Sequence, residues 1–269
     1  MFRAEKLFDL GGRVALVTGG EGYLGSVMTS TLAANGARVI VWGQMREQAE
    51  NLVSRIAADG GRVEFKAVDL TDAEERQKAV AGFLAAEPRL DILINCAGRG
   101  GGGGTEKSTA EKFRLIHELN VVAPFELVKG LLPLLRDAGK RNPGGAAVVN
   151  IGSMYGTVSP DPRFYTAETV VNPPYYGATK AALIQMTRYQ AWEFGPERIR
   201  VNSLSFGPFP NPAVQEKAPE FCANLAAGTA LRRIGDSRDA AGAILYMVSD
   251  AAAYLTGANL MLDGGWTAR

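Results

Sequence analysis

Residues 14–25 have the sequence VALVTGGEGYLG, and this stretch decides the fold prediction. The apolar, β-branched run at 14–18 predicts a buried strand that leads directly into glycines. The apolar spacing of residues 23–35 then predicts a helix that ends near Gly36. Strand, glycine-rich turn and helix in this order are typical of a dinucleotide-phosphate loop, because glycines let the backbone approach a pyrophosphate and the helix N-terminus offers free amide donors. The alternative is a glycine-rich turn that binds no ligand.

The same alternation continues along the chain. Further strands are predicted at residues 39–42, 63–68, 92–95, 147–151, 200–205 and 259–262, and further helices at 47–58, 73–86, 110–135 and 178–193. Short, mostly apolar strands that alternate with helices predict a parallel sheet covered on both faces. The predicted fold class is therefore α/β: a Rossmann-like, doubly wound parallel sheet in three α/β/α layers.

Nothing in the sequence divides the chain. No linker rich in proline, serine or charge interrupts the alternation, so residues 1–269 are predicted to form one dinucleotide-binding catalytic domain. We expect a cofactor half at about 1–150 and substrate loops at about 151–175 and 206–230. The glycines at 100–104 and the irregular segment 154–174 are expected to form site walls, because ligands bind at the carboxyl ends of such strands.

Composition excludes several classes of function. The 29 basic and 28 acidic residues give a net charge of +1, which favours neither a nucleic acid nor a membrane as partner. Cys96 and Cys222 lack metal or redox spacing, and His117 is the single histidine, so no metal site is predicted. Without a signal peptide or an apolar run of about 18 residues, the protein is predicted to be cytoplasmic.

The sequence Tyr176-Gly177-Ala178-Thr179-Lys180 carries the chemistry. Four residues along a helix place Tyr176 and Lys180 on one face. A free tyrosine has a pKa near about 10, so it exchanges protons poorly near neutrality unless a cation stabilises the phenolate. Lys180 is placed to be that cation, and we expect it to lower the tyrosine pKa.

These motifs together resemble the short-chain dehydrogenase/reductase family, in its short single-domain form, over essentially the whole chain. The resemblance is carried by Thr18-Gly19 with Gly22 and Gly25, by Tyr176 and Lys180, and by residues 69–70, 95–98, 200–208, 255–259 and 262–266. The short members usually have Thr-Gly-x-x-x-Gly-x-Gly, where this chain has Tyr23 in place of the second glycine, and Gly22 instead fits the longer members. The resemblance implies an NAD(P)-dependent oxidoreductase that interconverts a carbonyl and a secondary alcohol by hydride transfer.

The resemblance also assigns roles to residues. It implies a catalytic set of Asn120, Ser153, Tyr176 and Lys180. Tyr176 would exchange a proton with the substrate oxygen, Ser153 would hold that oxygen, Lys180 would also bind the nicotinamide ribose, and Asn120 would support the lysine through water. Cofactor contacts are predicted for Thr18, Gly19, Gly22, Tyr23, Leu24, Gly25, Gly43, Arg46, Asp69, Leu70, Asn95, Ala97, Gly98, Tyr176, Lys180 and Gly207.

Cofactor choice depends on the residue after the second strand, where a carboxylate would bind the adenosine ribose and repel a 2′-phosphate. Gly43 stands at this place and Arg46 lies just beyond it. The pattern favours NADP(H) and leaves NAD(H) open, because Arg46 is equally expected as a solvated residue at a helix start.

The substrate prediction rests on the segment between Ser153 and Tyr176, which is longer than the resemblance leads us to expect. It contains Asp161, Arg163 and Glu168, and charged, hydrogen-bonding walls suit a sugar, sugar acid or polyol. Surface loops also collect such charges for solubility. The alternatives are a cofactor-binding regulator without turnover, and an epimerase or dehydratase with retained NAD, which normally needs an added C-terminal domain. The resemblance further implies a homo-oligomer, a tetramer or a dimer, formed through the long helices at 110–135 and 178–193.

Overall fold

The computed structural model describes residues 4–167 and 169–268. Within these residues, one parallel sheet has the strand order β3-β2-β1-β4-β5-β6-β7. The strands are β1 Val14–Thr18, β2 Arg38–Gly43, β3 Arg62–Ala67, β4 Ile92–Asn95, β5 Ala146–Ser153, β6 Ile199–Phe206 and β7 Asn259–Leu262. The predicted doubly wound α/β fold in a single domain is confirmed.

Helices cover both faces of this sheet. They are α1 Tyr23–Ala34, α2 Arg46–Ala58, α3 Ala73–Ala86, α4 Ala110–His117, α5 Ala123–Arg141, α6 Pro174–Phe194, α7 Pro212–Lys217, α8 Pro219–Gly228 and α9 Asp239–Val248. One apolar core packs α3, α5 and α6 against the sheet, and a second core packs α1, α2 and α9 against the opposite face. No helix in the described ranges is long and apolar enough to span a membrane.

Two parts of the helical layer differ from the sequence prediction. The helix expected at 110–135 is interrupted by a π-helical turn at Glu118–Val122 and then continues to Arg141. The helices α7, α8 and α9 were not predicted. The helix α9 has no side-chain cap at its start, and its sequence DAAGAILYMV is mostly small and apolar, so it lacks the boundary signals on which helix prediction depends.

The strand ends position the candidate site. The strands β5 and β6 run beyond their predicted ends, so that Ser153 is the last residue of β5 and pairs with Phe206. The strand β1 pairs with β2 on one side and with β4 on the other, so the strand order changes direction between β1 and β4. Ligands bind in the crevice at such a switch point, outside the carboxyl ends of the strands.

Candidate active site

A cavity of about 500 Å³ opens at this crevice. It is bordered by the glycine loop after β1, the turn after β4, the end of β5, the start of α6 and the segment after β6. Its lining includes most of the predicted residues, namely Gly19, Gly22, Tyr23, Leu24, Gly25, Ala97, Gly98, Ser153, Tyr176, Lys180 and Gly207. The fold therefore brings residues from five separate chain segments to one cavity.

At two positions where β1 leads into α1, the backbone leaves room only for glycine. Gly19 has a φ of +62°, and a Cβ there would lie 2.9 Å from the Ala97 Cα. A Cβ on Gly25 would lie 2.1 Å from the Gly19 carbonyl oxygen. Gly22 is the N-cap of α1, so the first amide groups of that helix face the cavity edge. This cradle fits a pyrophosphate, because backbone donors and the helix dipole meet the anion without side chains in between.

Ser153, Tyr176 and Lys180 converge on one side of the cavity. The Tyr176 and Ser153 side chains line the cavity together, and the Ser153 hydroxyl acts on the tyrosine as a hydrogen-bond donor that tends to lower its pKa. The Ser153 Oγ also accepts a hydrogen bond from the Tyr155 backbone N–H at 3.1 Å. The Lys180 Nζ donates to the Ile151 carbonyl oxygen at 2.7 Å and lies 5.8 Å from the centre of the Tyr176 ring. A hydroxyl pair backed by a buried cation is suited to proton transfer at a substrate oxygen.

Burial sets the pKa values of these groups. Burial raises the pKa of Tyr176, and the hydrogen bond from Ser153 opposes that shift. Burial lowers the pKa of Lys180 to about 8. The lowered tyrosine pKa that the sequence led us to expect is therefore wrong for this site, because removal from water outweighs the hydrogen bond from Ser153. Burial also raises the pKa of the Cys96 thiol to about 12, which leaves it a neutral lining group.

Asn120 lies in the π-helical turn behind Lys180. Its Nδ2 donates to the Arg99 carbonyl oxygen at 3.0 Å and to the Thr179 Oγ1 at 3.1 Å, and its Oδ1 accepts from the Arg99 N–H. The Asn120 Oδ1 and the Lys180 Nζ approach the same point beside Gly98, where an added Cβ would be 3.2 and 3.4 Å from them. Such π-turns are frequent at functional sites. Asn120 thus ties the turn after β4 to α6 and faces the lysine.

A second cavity, of about 260 Å³, continues from the first past Gly19 and Gly98. Asp69, Leu70 and Gly43, for which the sequence predicts cofactor contacts, line this cavity. Burial tends to raise the pKa of Asp69, but hydrogen bonds from Thr71 and Gln44 lower it below its ordinary value, so the carboxylate is ionised.

Three predicted cofactor residues lie outside both cavities. The Thr18 Oγ1 accepts from the backbone N–H groups of Cys96 and Ala97, both at 3.1 Å, and so holds β1 to the turn after β4. The Asn95 Nδ2 donates to the Asn150 Oδ1 at 2.7 Å within the sheet. Arg46 is exposed, and its guanidinium is 3.9 Å from the Glu50 carboxylate on the same helix.

A third cavity, of about 340 Å³, meets the first at Ser153 and Tyr176. The Tyr155 and Tyr165 hydroxyls are 3.0 Å apart, and the Asn172 Nδ2 donates to the Tyr165 hydroxyl at 3.2 Å. These three side chains line the cavity together with Met154, Pro208, Phe209, Asn211, Val214, Phe221 and Leu225. The segment 154–174 therefore forms a wall of the site through tyrosine and asparagine side chains.

The charges that motivated the substrate prediction lie elsewhere. Asp161 and Arg163 pair with each other at 2.6 Å on the protein surface, where the arginine side chain is 88% exposed. Neither residue lines the third cavity. Glu168 lies outside the described residues. No group of acidic, histidine or cysteine side chains placed to hold a metal ion occurs within residues 4–167 and 169–268.

Several lining residues were not predicted from the sequence. Glu21 and Arg99 line the second cavity, and Tyr165, Asn172 and Asn211 line the third. The signal for Glu21 was available, because a single acidic residue stands among four glycines of the loop. Nothing in the local sequence marks Tyr165 or Asn172, since their positions depend on how an irregular segment folds back.

Comparison with known proteins gives matches along nearly the whole chain. A family model described as enoyl-(acyl carrier protein) reductase matches residues 23–267. The 2,5-dichloro-2,5-cyclohexadiene-1,4-diol dehydrogenase of Sphingobium indicum is 33% identical over 258 residues, covering 96% of this chain and 97% of that protein. The Pseudomonas aeruginosa RhlG/NADP active-site complex is 32% identical with a TM-score of 0.85, covering 97% and 98% of the two chains. A putative NAD(P)-dependent gluconate 5-dehydrogenase from Beutenbergia cavernae, with bound NADP, is 27% identical with a TM-score of 0.85, covering 98% and 100%.

Proposed function

This chain belongs to the short-chain dehydrogenase/reductase family, and from that premise we propose that it interconverts a secondary alcohol and a carbonyl in an uncharged, hydroxyl-bearing substrate. Family membership makes it an NAD(P)-dependent oxidoreductase that acts on CH–OH and C=O groups. The observation that carries the proposal is the junction of two cavities at Ser153 and Tyr176. A substrate oxygen at this junction lies between a cofactor cavity on one side and a substrate cavity on the other.

The cofactor cavity fits a nicotinamide dinucleotide. The cradle at Gly19 and Gly25 would hold the pyrophosphate, Asp69 would face the adenosine end, and Lys180 would bind the nicotinamide ribose. Both solved structures named above contain NADP, which supports NADP(H) as a cofactor of this chain as well. When bound, the reduced cofactor supplies a hydride to the carbonyl carbon.

The residues at the junction manage the proton and the developing charge. Tyr176 donates its hydroxyl proton to the carbonyl oxygen during reduction and takes it back during oxidation. The Ser153 Oγ accepts from the Tyr155 N–H, which orients the hydroxyl, and its proton would move from Tyr176 to the substrate oxygen as negative charge develops. Lys180, with a pKa of about 8, is protonated at neutral pH and stabilises the tyrosinate that forms.

The third cavity supports a neutral polar substrate. Its hydrogen-bonding groups are the hydroxyls of Tyr155 and Tyr165 and the amides of Asn172 and Asn211. None of the described residues that line it is charged, so among these residues the carboxylate of a sugar acid would find no counter-ion, which is costly. Among the sugars, sugar acids and polyols expected from the sequence, the cavity favours neutral sugars and polyols. The diol dehydrogenase among the relatives is named for a substrate of this neutral, hydroxylated kind, whereas the gluconate 5-dehydrogenase is named for a sugar acid.

A homo-oligomer is part of the same proposal. Large apolar side chains are exposed along α4 to α6, including Phe113 and Phe125, and Trp192 is 88% exposed on α6. Exposed apolar surface of this kind marks association sites. Light scattering coupled to size-exclusion chromatography should give a mass of two or four chains, whereas a monomer would contradict this part of the proposal.

The test of the function is turnover measured by absorbance of the reduced nicotinamide. Polyols and cyclic diols should be oxidised with NAD⁺ or NADP⁺, and neutral keto-sugars should be reduced with NADH or NADPH. The matched sugar acids should react more slowly in both directions. Tyr176→Phe should lose turnover by about 10² to 10⁴-fold, because its proton donor is gone. The control is Tyr175→Phe, which removes a hydroxyl from the neighbouring helix position, where it faces Gly101 and not the cavity.

Two results would contradict the proposal. If sugar acids reacted faster than neutral partners of the same length, the uncharged cavity would not set the substrate class. If Tyr176→Phe kept the activity of Tyr175→Phe, the tyrosine would not be the proton donor. Fluorescence titration of the variants with reduced cofactor separates loss of chemistry from loss of cofactor binding.

A further inference from the structure

Glu21 holds a carboxylate inside the glycine loop. The residue is 6% exposed, and its Oε1 accepts from the backbone N–H groups of Gln44 at 3.0 Å and Met45 at 3.2 Å. Its Oε2 is buried and has no hydrogen-bond partner among the described residues. A buried polar atom without a partner is costly to the fold, and such atoms in native structures point to a missing donor.

The position of this carboxylate is unusual. A Cβ added to Gly43 would lie 1.9 Å from the Glu21 Oε1 and 2.2 Å from its Oε2. The carboxylate therefore fills the space in which the side chain of residue 43 would begin, at the carboxyl end of β2. In dinucleotide-binding sheets, an acidic side chain at this place accepts hydrogen bonds from the adenosine ribose. Gly43 has no side chain and cannot provide this acid. Glu21 provides a carboxylate at the same place from the loop between β1 and α1.

Glu21 and Gly43 also line the same cavity as Asp69 and Leu70. We propose that Glu21 binds the adenosine ribose hydroxyls through its unpartnered oxygen and thereby makes NAD(H) bind more tightly than NADP(H). In NADP(H) a phosphate replaces the 2′-hydroxyl of the adenosine ribose, so a hydrogen-bond donor to Glu21 is lost. The phosphate also places a second anion next to the Glu21 carboxylate, which two amide groups already hold in position. Glu21 is thus the cofactor-specificity residue of the chain.

Other observations favour NADP(H) over NAD(H). The sequence pattern of Gly43 and Arg46 and the NADP in two matching structures point that way. Arg99 also borders the cavity, where its Nη2 donates to the Gln44 Oε1 at 2.9 Å. Arg99 and Arg46 are both exposed, so solvent and salt screen their charges, whereas the buried Glu21 carboxylate acts with little screening.

The experiment measures binary cofactor binding, without substrate, by fluorescence titration with NADH and NADPH. The chain with Glu21 should bind NADH about tenfold more tightly than NADPH, which corresponds to one hydrogen bond to a charged acceptor. Glu21→Gln should abolish this ratio, because the amide keeps an acceptor for Gln44 and Met45 but loses the charge. Glu47→Gln, which removes an exposed carboxylate from the first turn of α2, should leave the ratio unchanged.

A second variant tests the position of the carboxylate. The double change Glu21→Ser with Gly43→Asp moves the acid to the end of β2 and should restore the preference for NADH. Thermal unfolding with each dinucleotide gives an independent readout, because the tighter ligand raises the melting temperature more.

The inference rests on the dinucleotide cofactor of the proposed function and not on its substrate. Tighter binding of NADPH by the unaltered chain would overturn it, as would an unchanged ratio in Glu21→Gln or a failure to bind either dinucleotide. Turnover of the wrong substrate class would overturn the proposed function alone, since the binding ratio is measured without substrate.

Discussion

The cofactor side and the substrate side of this site are built in different ways. The cofactor side uses strand ends and helix starts, such as the loop from β1 to α1 and the turn after β4, where backbone groups approach the cavity. The substrate side uses residues 154–174 and the short helices α7 and α8, where side chains form the wall. The cofactor side needs glycines at fixed positions, whereas the substrate side needs only side chains that face the cavity.

This difference separates chemistry from specificity. Ser153 ends β5 and Tyr176 lies in the first turn of α6, so the segment between them begins and ends on rigid elements. The glycines at 101 and 102 pack against Tyr175 and Val170, which fixes the far end of this segment to the loop after β4. The segment between Ser153 and Tyr176 can therefore shape the substrate cavity without displacing the two side chains proposed to act on the substrate oxygen.

The largest effect is expected where the two sides meet. Ser153→Ala should lower kcat by about 10² to 10³-fold, because a preorganised donor to the developing oxyanion is lost. Cofactor binding should stay the same, since the hydroxyl faces the substrate oxygen. The control is Ser159→Ala, an exposed serine of the same segment. A Ser153→Ala enzyme with unchanged kcat would place the oxyanion contact elsewhere.

A steric test addresses the cofactor side alone. Gly25→Ala places a Cβ 2.1 Å from the Gly19 carbonyl oxygen, so the loop must shift. We expect about 10- to 100-fold weaker cofactor binding, because the shifted loop loses a hydrogen bond to the charged pyrophosphate. Gly242→Ala, in α9 with open space around it, should bind cofactor normally and be slightly more stable. Equal affinities for the two variants would show that the loop does not hold the cofactor.

The same contrast explains how much the sequence could predict. The sheet, the glycine loop and the Tyr176–Lys180 pair follow from local patterns, because β-branched runs, glycine spacing and helical periodicity are properties of neighbouring residues. The pairing of Glu21 with Gly43 and of Tyr165 with Asn172 depends on packing between distant segments. The π-turn that contains Asn120 has no sequence signal, since the hydrogen bonds of Asn120 go to Arg99 and Thr179, which are distant in the chain.

The buried cation on the cofactor side should leave a mark on stability. The folded pKa of Lys180 is about 8, below the ordinary value of 10.5, so the unfolded chain binds more protons between these values. Folding stability should therefore rise with pH from 8 to 10, by at most about 3 kcal/mol, relative to Lys180→Met. Above pH 10 the raised pKa values of Tyr176 and Tyr155 act in the opposite direction. Urea unfolding at several pH values measures this difference, and parallel curves for the two proteins would contradict it.

A smaller effect is expected from the substrate wall. Tyr165→Phe removes the hydroxyl that joins Tyr155 and Asn172, so a hydroxylated substrate loses part of its hydrogen-bonding surface. KM should rise by about 3- to 10-fold, the value of one neutral hydrogen bond, while kcat changes little. The matched control is Tyr254→Phe, whose side chain is fully exposed. A fall in kcat with constant KM would instead assign Tyr165 to the chemistry.

The smallest effect is expected from the surface charges that first suggested a sugar, sugar acid or polyol as the substrate. Arg163 is 88% exposed and pairs with Asp161 outside the third cavity, and exposed pairs contribute about 0 to 1 kcal/mol to folding. Arg163→Ala should leave KM unchanged for neutral and acidic substrates alike, in the same turnover assay. A rise in KM confined to sugar acids would mean that Arg163 comes close to the bound substrate. The substrate side would then include surface residues of the segment between Ser153 and Tyr176, in addition to the wall of the third cavity.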